Sequence, residues 1–524
     1  MRKLSTLFCA VLMTLSAMAT DYKGNLTVSI NGEGSTQPAT ISIVENAGKY
    51  NLSILNFMLG EGESVLPVGN IVIENVTGAV AGNLTTLYVN KNITIQKGNV
   101  AGIADDAWLG PMLGEVPVKM SSSFNTNGFL GVNIDIDMVS TLGQVIKVTF
   151  ENVGNHFQMP NSDFETWSNE NNAPKHWHGF ESVKGKLSGT AKSKTKLVSS
   201  KNVRPGSKGL TSAVVTSTKV FTVIANGTMT NGVLNAGSMY AADASNHSET
   251  DLSSTSKDAN GDPFATPMYA KPDSVKFWMR FTQAKAQASY PYAAFNAVIT
   301  DGTYYQDPEN KTYTNKVAVA APNKADMTVG DWRLVSCPFD YASYAANGAE
   351  AKAILLTVST NATPGKGSYS NGVADSVYVD DLELVYLADI KSVSFKGATL
   401  DLANTDIDIA DDDVISANDF VVEKIGEDAK VTTLVEANAK GYKAVISVVS
   451  GDLNTQKTLV FNFNKPVWAD GDVNHDGVVD LADVTLLVNK VLTDDATQIY
   501  NPDVNGDGNV DVADVTTLVS LILG

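Results

Sequence analysis

Apolar and polar residues alternate in short runs over most of the chain, and the 3.6-residue rhythm of an amphipathic helix is confined to the C-terminal end. Alternation with period two sends every second side chain to one face, so such runs predict half-buried strands. Residues 25–30 are the cleanest case, with Leu26, Val28 and Ile30 on one face and a glycine-rich turn at 32–34. The same rhythm recurs at 39–44, 51–57, 69–76, 85–89, 116–124 and 145–150. Strands at this spacing predict a closed up-and-down barrel or a sandwich. Further strands are predicted at 390–395, 431–436, 442–449 and 458–463. The expected fold class is therefore mostly β and multi-domain, with α structure only at the C-terminal end.

At 524 residues the chain is too long for one hydrophobic core, and about 150 residues per domain predicts three or four units. Residues 20–152 resemble the calycin-like barrels of secreted Bacteroidota proteins, including the opening Asp21-Tyr22-Lys23-Gly24. A second unit, 155–387, opens with Met159-Pro160-Asn161-Ser162-Asp163-Phe164-Glu165-Thr166-Trp167 and closes with Ser376-Val377-Tyr378-Val379-Asp380-Asp381-Leu382-Glu383-Leu384. That pair resembles the carbohydrate metabolism domain family and, more broadly, the jelly-roll carbohydrate-binding modules, which implies first and last strands lying side by side. Residues 388–466 read as an immunoglobulin-like spacer sandwich, and 467–524 as a small helical unit.

Charge and cysteine usage narrow the class. There are 57 acidic residues against 38 basic ones, a net charge of −19, so nucleic acid and anionic membranes, which demand a positive field, are excluded as partners. Residues 1–19 read as a secretory signal: Arg2 and Lys3, an apolar stretch at 4–15, and the A-x-A site Ala17-Met18-Ala19. That implies a secreted protein whose mature chain begins near Thr20. No later stretch reaches the roughly 18 consecutive apolar residues of a membrane helix. Outside the signal only Cys337 remains, so no intramolecular disulfide can form, and a buried, unreactive thiol is expected.

The strongest signal is an internal repeat. Asp472-Val473-Asn474-His475-Asp476-Gly477-Val478-Val479-Asp480-Leu481-Ala482-Asp483 recurs, 31 residues on, as Asp503-Val504-Asn505-Gly506-Asp507-Gly508-Asn509-Val510-Asp511-Val512-Ala513-Asp514. Each copy has oxygen-bearing side chains at positions 1, 3, 5, 9 and 12 and glycine at 6, with the position-7 carbonyl (Val478, Asn509) completing the set. This is the ligand spacing of a calcium loop, since hard Ca²⁺ takes six to eight oxygens. After each loop, Leu481, Val484, Leu487, Val488 and Val491, and then Val512, Val515, Leu518, Val519 and Ile522, fall at helical spacing. Two loop-helix units with no entering helices resemble type I dockerins. The resemblance implies two calcium ions, docking to a cohesin-like domain, and partner contact at Leu481, Ala482, Val512 and Ala513. Apolar residues at those four positions, where cellulosomal relatives often have Ser-Thr, point to a differently built cohesin or to an intramolecular docking surface.

Glycan modules stack aromatic rings on sugar faces. Alternation in residues 274–281 puts Val275, Phe277, Met279 and Phe281 on one face and Lys276, Trp278 and Arg280 on the other. Trp278 and Arg280, with Tyr304 and Tyr305 from nearby sequence, are the candidate carbohydrate-binding residues. Trp167, Trp177 and Trp332 are expected in the core. The jelly-roll resemblance further implies a third, structural calcium joining the first and last strands through Glu165 and Asp381. Neither HExxH, GxSxG nor GxxxxGK[ST] occurs, and His176 and His178 make at most half a metal site. The expectation is a secreted, non-catalytic, glycan-associated protein with a calcium-dependent assembly unit. Its rivals are a structural or adhesive surface protein and a glycoside-acting enzyme within 155–387.

Overall fold

The computed structural model describes residues 19–60, 65–152, 156–168, 173–194, 197–493 and 498–524. The signal-like segment lies outside the described residues, apart from Ala19, which begins the first strand. The contacts divide the chain into two compact units. Of the described residues, one holds those up to 392 with 422–432 and 446–458, and the other holds those in 393–421, 433–445 and 459–524.

The first unit begins with a closed eight-stranded barrel: β1 (Ala19–Ile30), β2 (Glu33–Asn46), β3 (Lys49–Leu59), β4 (Leu66–Ala81), β5 (Leu84–Thr94), β6 (Glu115–Asn125), β7 (Leu130–Met138) and β8 (Gln144–Asn152). Neighbours in sequence are neighbours in space, and β8 returns antiparallel to β1 with Leu26 opposite Phe150. Closure leaves no unpaired edge. Leu26, Ile41, Leu52, Ile73, Leu87 and Met120 are buried in its core, as the alternation requires. Gly24 is needed where β1 crosses β8, because a Cβ there would stand 2.0 Å from the Glu151 carbonyl oxygen.

Residues 156–387 form a sandwich. One sheet orders the strands Gly330–Pro338, Ser274–Thr282, Ser376–Val385, Ser212–Thr216 and Leu197–Ser200. The other orders Thr228–Thr230, Ala353–Ser359, Ala294–Thr300 and Lys316–Ala320, with Thr266–Pro267 pairing Ala353–Ser359 off that path. The inward faces meet in one core, where Phe277 stacks on Phe295 with centroids 4.1 Å apart. Cys337 is buried there, and burial pushes its thiol up to about 12, which makes it inert at neutral pH.

The opening segment departs from expectation. It lies beside the closing strand, but Gln158 does the work of a strand. Its side-chain amide donates to the Leu384 carbonyl (2.7 Å), and its side-chain oxygen accepts from the Leu384 N–H (2.7 Å). Trp332 is half-buried on the outer face against Tyr378, not in the core, whereas Trp177 is fully buried and Trp167 packs partly against the core.

The strands Asp389–Phe395, Lys430–Asn438, Gly441–Val449 and Gln456–Asn464 lie where the sequence predicts them. They do not make a separate body. Residues 422–432 and 446–458 belong to the first unit, where Thr432 Oγ1 meets Thr86 Oγ1 of the barrel at 2.7 Å in a buried contact. In the second unit Phe395, Phe420 and Phe463 form an aromatic cluster. Among the described residues no helix is long and apolar enough to cross a membrane.

Candidate metal centre

The helices Leu481–Thr493 and Val512–Leu523 each begin inside the repeated twelve-residue loop. Their shared core is small: Val473, Leu487 and Leu518 are buried, with Val479, Val484, Val491, Val504 and Val515 partly so. Leu481 and Val512, placed by periodicity with the apolar faces, point to solvent at 74% and 65% exposure.

The two loops make the same hydrogen bonds. Asp472 accepts from the Asp476 and Gly477 N–H groups at 3.2 and 3.0 Å, and Asp503 from Asp507 and Gly508 at 3.1 and 2.8 Å. Asn474 Oδ1 accepts from Asp476 N–H, and Asn505 Oδ1 from Asp507 N–H, both at 2.8 Å. Asp476 takes the Val478 N–H and Asp507 the Asn509 N–H, each at 2.9 Å. That backbone donor holds the Asp507 carboxyl below its ordinary range. Gly477 and Gly508 sit at φ of +92° and +89°, where any L side chain would be strained.

Positions 9 and 12 also start the helices. Asp480 accepts from Ala482 N–H at 2.6 Å and Asp511 from Ala513 N–H at 2.7 Å. In return Asp483 and Asp514 accept from Asp480 N–H (2.9 Å) and Asp511 N–H (2.8 Å). These are capping boxes built from aspartate, with negative charge at the positive end of the helix dipole. Asp483 and Asp514 are fully buried, and each also accepts the N–H of the position-3 asparagine at 3.1 Å.

Each of these buried carboxylates is thus met by two backbone donors at the start of a helix. The donor set of each loop is therefore right for a hard divalent cation: carboxylate and amide oxygens, a buried charge without a cationic side-chain partner among the described residues, and a glycine turn. The four side chains closest to the sequence-predicted docking surface, Leu481, Ala482, Val512 and Ala513, are all exposed at the helix starts.

One asymmetry breaks the repeat. At position 4 the first loop has His475 at φ +57° and the second has Gly506 at φ +74°. The His475 ring lies between Trp468 and Tyr500, with centroids 4.5 and 3.9 Å away and planes within 18° and 9° of parallel.

The two carboxylates of the expected third site have other partners in this structure. Asp381 pairs with the guanidinium of Arg204, and Glu165 Oε1 accepts the Leu210 and Thr211 N–H groups, both at 2.9 Å. His176 and His178 each face an aspartate instead of one another, Asp262 at 3.4 Å and Asp258 at 3.7 Å. Burial holds His178 below the usual histidine range.

Nor do the four carbohydrate candidates converge. Trp278 and Arg280 lie on the outer face of the five-stranded sheet, with Arg204 over the Trp278 ring at 5.3 Å and Arg280 over Tyr378 at 5.6 Å. Tyr305 is buried with Val298, Tyr313 and Leu355, behind the other sheet, and its hydroxyl bonds Glu309. Tyr304 is partly exposed, but its hydroxyl is committed to Glu249 and Gln306, both at 3.1 Å. Tyr378 and Trp332 are the aromatic neighbours that sequence spacing missed, because they come from strands paired only in the fold. A cavity of about 400 Å³ within the sandwich was equally invisible in the sequence.

With this geometry in view, the chain was compared with known proteins. Residues 18–153 match the model of the calycin-like beta-barrel domain, and residues 470–523 match the dockerin type I domain. No curated protein matches the chain. A solved structure described as that of a "putative outer membrane protein" from Bacteroides fragilis is similar at 9% identity, covering 65% of this chain and 96% of that one, with a TM-score of 0.18. Dockerin domains of this type bind calcium and dock to cohesin domains, and they are typical of extracellular proteins.

Proposed function

We propose that this is an exported, non-catalytic assembly component whose C-terminal pair binds two calcium ions, one per loop, and in that state docks to a cohesin-like domain. The observation that carries the reading is the pair of fully buried aspartates, Asp483 and Asp514. Each closes its loop and caps its helix, and a divalent cation would offset the loop's negative charge and fix the helix start together. The side chains of Asp472, Asn474, Asp476, Asp480 and Asp483, and their counterparts from Asp503 to Asp514, would hold the ion, with the Val478 and Asn509 carbonyls.

Leu481, Ala482, Val512 and Ala513 then present small apolar patches at two equivalent helix starts, which suits a partner with an apolar docking face. Calorimetric titration of the full chain with CaCl₂ should show saturable heat that disappears in the Asp483→Ala, Asp514→Ala double variant. Capture by a panel of cohesin domains should require calcium. No heat of calcium uptake would end this reading.

A second reading, glycan association, has one observation in its favour: the outer sheet face gathers Trp278, Trp332 and Tyr378 with Arg204 and Arg280. Sugar faces stack on such rings, although here Arg204 already covers Trp278. A glycan array probed with the full chain and with Trp278→Ala tests it, since a real site loses signal in the variant. A reducing-sugar release assay on the same chain addresses catalysis, and release would replace the non-catalytic reading.

A further inference from the structure

In the central sandwich, the outer face of the sheet that holds Ala294–Thr300 and Ala353–Ser359 is divided. On strand Ala294–Thr300 the side chains of Phe295, Ala297 and Ile299 enter the core, leaving Ala294, Asn296 and Val298 on the other side. Strand Ala353–Ser359 likewise leaves Leu355, Thr357 and Ser359 outside, in register as Val298 opposite Leu355, Asn296 opposite Thr357 and Ala294 opposite Ser359. Val298 and Leu355 are sealed by Tyr305 and Tyr313. Ala294, Asn296, Thr357 and Ser359 are not sealed: they line the cavity of about 400 Å³.

Its far wall is a small sheet of strands Val233–Ala236, Asn246–Thr250 and Tyr305–Asp307. Register aligns Leu234, Ser248 and Asp307 across that sheet, and all three face the cavity. The volume lies within the range of small-molecule sites, about 300–1,000 Å³.

The chemistry of the wall is uneven. Leu187, Val220, Val223, Leu234 and Met239 make one part aliphatic; the two rings among the lining residues are Phe180 and the imidazole of His247, whose nitrogens already meet the Ala244 carbonyl and the Glu249 carboxylate. At the other part Ser248 and Asp307 from one sheet meet Asn296 and Thr357 from the other, tied by Asn296 Nδ2 donating to Asp307 Oδ2 at 3.1 Å. Three polar atoms there are buried with no hydrogen-bond partner: Ser248 Oγ, Thr357 Oγ1 and Asn226 Oδ1. Such atoms are costly, and a turn of the side chain toward the cavity would let a bound hydroxyl complete them.

We infer that this cavity is a binding site for an uncharged aliphatic molecule with a hydroxyl-bearing head, its alkyl part against Val223 and Leu234 and its head on Ser248, Thr357 and Asn226. Among the described residues no lysine or arginine lines the cavity to receive an anionic head, and the one histidine there, His247, already faces the Glu249 carboxylate at 2.9 Å. Burial raises the Asp307 carboxyl above its usual range, which weakens its claim on a cationic one. A sugar would find a single carbocyclic ring, Phe180, to stack on and an aliphatic wall in place of the hydroxyl partners it needs over most of its surface. The entrance is correspondingly apolar, with Met239 and, at the tip of the adjoining hairpin, Phe221 exposed.

The test titrates the full chain by calorimetry with three probes: 1-monodecanoyl glycerol, sodium decanoate and cellopentaose, the first two below their critical micelle concentrations. The expected result is a saturable site for the monoglyceride, with decanoate roughly tenfold weaker or worse and cellopentaose silent at this site. Val223→Trp, at the half-exposed rim where the fold tolerates it, should abolish binding, and Thr357→Val should weaken it roughly fivefold. Ala294→Phe, which fills the cavity from its floor, should abolish it too, with melting curves checking that each variant folds. Monoglyceride binding that is absent, or that survives Val223→Trp, overturns the proposal. So does decanoate binding as tightly as the glyceride, or cellopentaose heat that Val223→Trp removes.

Discussion

The central sandwich and the C-terminal loop-helix pair solve the same problem with opposite resources. In the sandwich, two sheets bury Phe277, Phe281, Phe295, Trp177 and many aliphatic side chains, so removing apolar surface from water stabilises it without help. The loop-helix pair has two helices of 13 and 12 residues and a fully buried core of Val473, Leu487 and Leu518. Helices of that length are marginal alone, and four aspartates per loop repel one another. On the proposed calcium reading, what distinguishes the regions is which one folds without a cation. The comparison teaches that carboxylates, usually a liability in a small fold, become its organising element when an ion can answer them.

The largest expected effect tests that contrast directly. Adding EDTA to the full chain should abolish the helical circular dichroism of the two C-terminal helices and expose residues beyond about 470 to protease, while the β-sheet signal persists. Equal helicity with and without chelator would erase the distinction. Next in size, Phe277→Ala should cost about 3–5 kcal/mol in the sandwich's unfolding while leaving the calcium titration unchanged. A calcium affinity that moved with Phe277 would mean that the two kinds of stability are not separate.

Single-loop variants sharpen the picture further. Asp483→Ala should weaken calcium binding at its own loop on the order of a hundredfold, about 2.7 kcal/mol, and Asp514→Ala should do the same in the second, each visible as loss of one binding step in calorimetry. The smallest effect belongs to the sandwich. Burial raises Asp380 to about 6, so the folded chain binds a proton there that the unfolded chain, with a carboxyl near 3.9, releases. Between about pH 4 and 6 the native state holds more protons, and this group's contribution to stability therefore rises as pH falls. The melting temperature of the wild type should gain on that of Asp380→Asn when pH is lowered from 7 to 5, and a gap that stays constant would count against the assignment.

What was legible in the sequence was whatever depends on near neighbours along the chain. Period-two alternation located seven barrel strands, and β7 carries the same signal in Val132, Ile134 and Ile136, although it stands outside the predicted set. Strand Ser274–Thr282 buries every second residue just as its alternation demands. The loops were legible because all their oxygens come from twelve consecutive residues.

Arrangements that draw on distant strands were not legible. Arg204 reaches Asp381 across 177 positions, and Tyr305, two strands from Trp278 in sequence, turns inward behind the opposite sheet. The cavity unites Ser248, Asn296, Asp307 and Thr357 only through register between four strands. Nothing in the local pattern around any of them differs from an ordinary half-buried strand.

The stack of Trp468, His475 and Tyr500 gives the C-terminal pair its own optical signature. An indole lying nearly parallel to an imidazole has its excited state altered by that ring, and here the imidazole belongs to the first loop itself. Of the six tryptophans, Trp468 alone touches a calcium loop, so a change in emission on adding or chelating the ion would report loop closure without any dye or label.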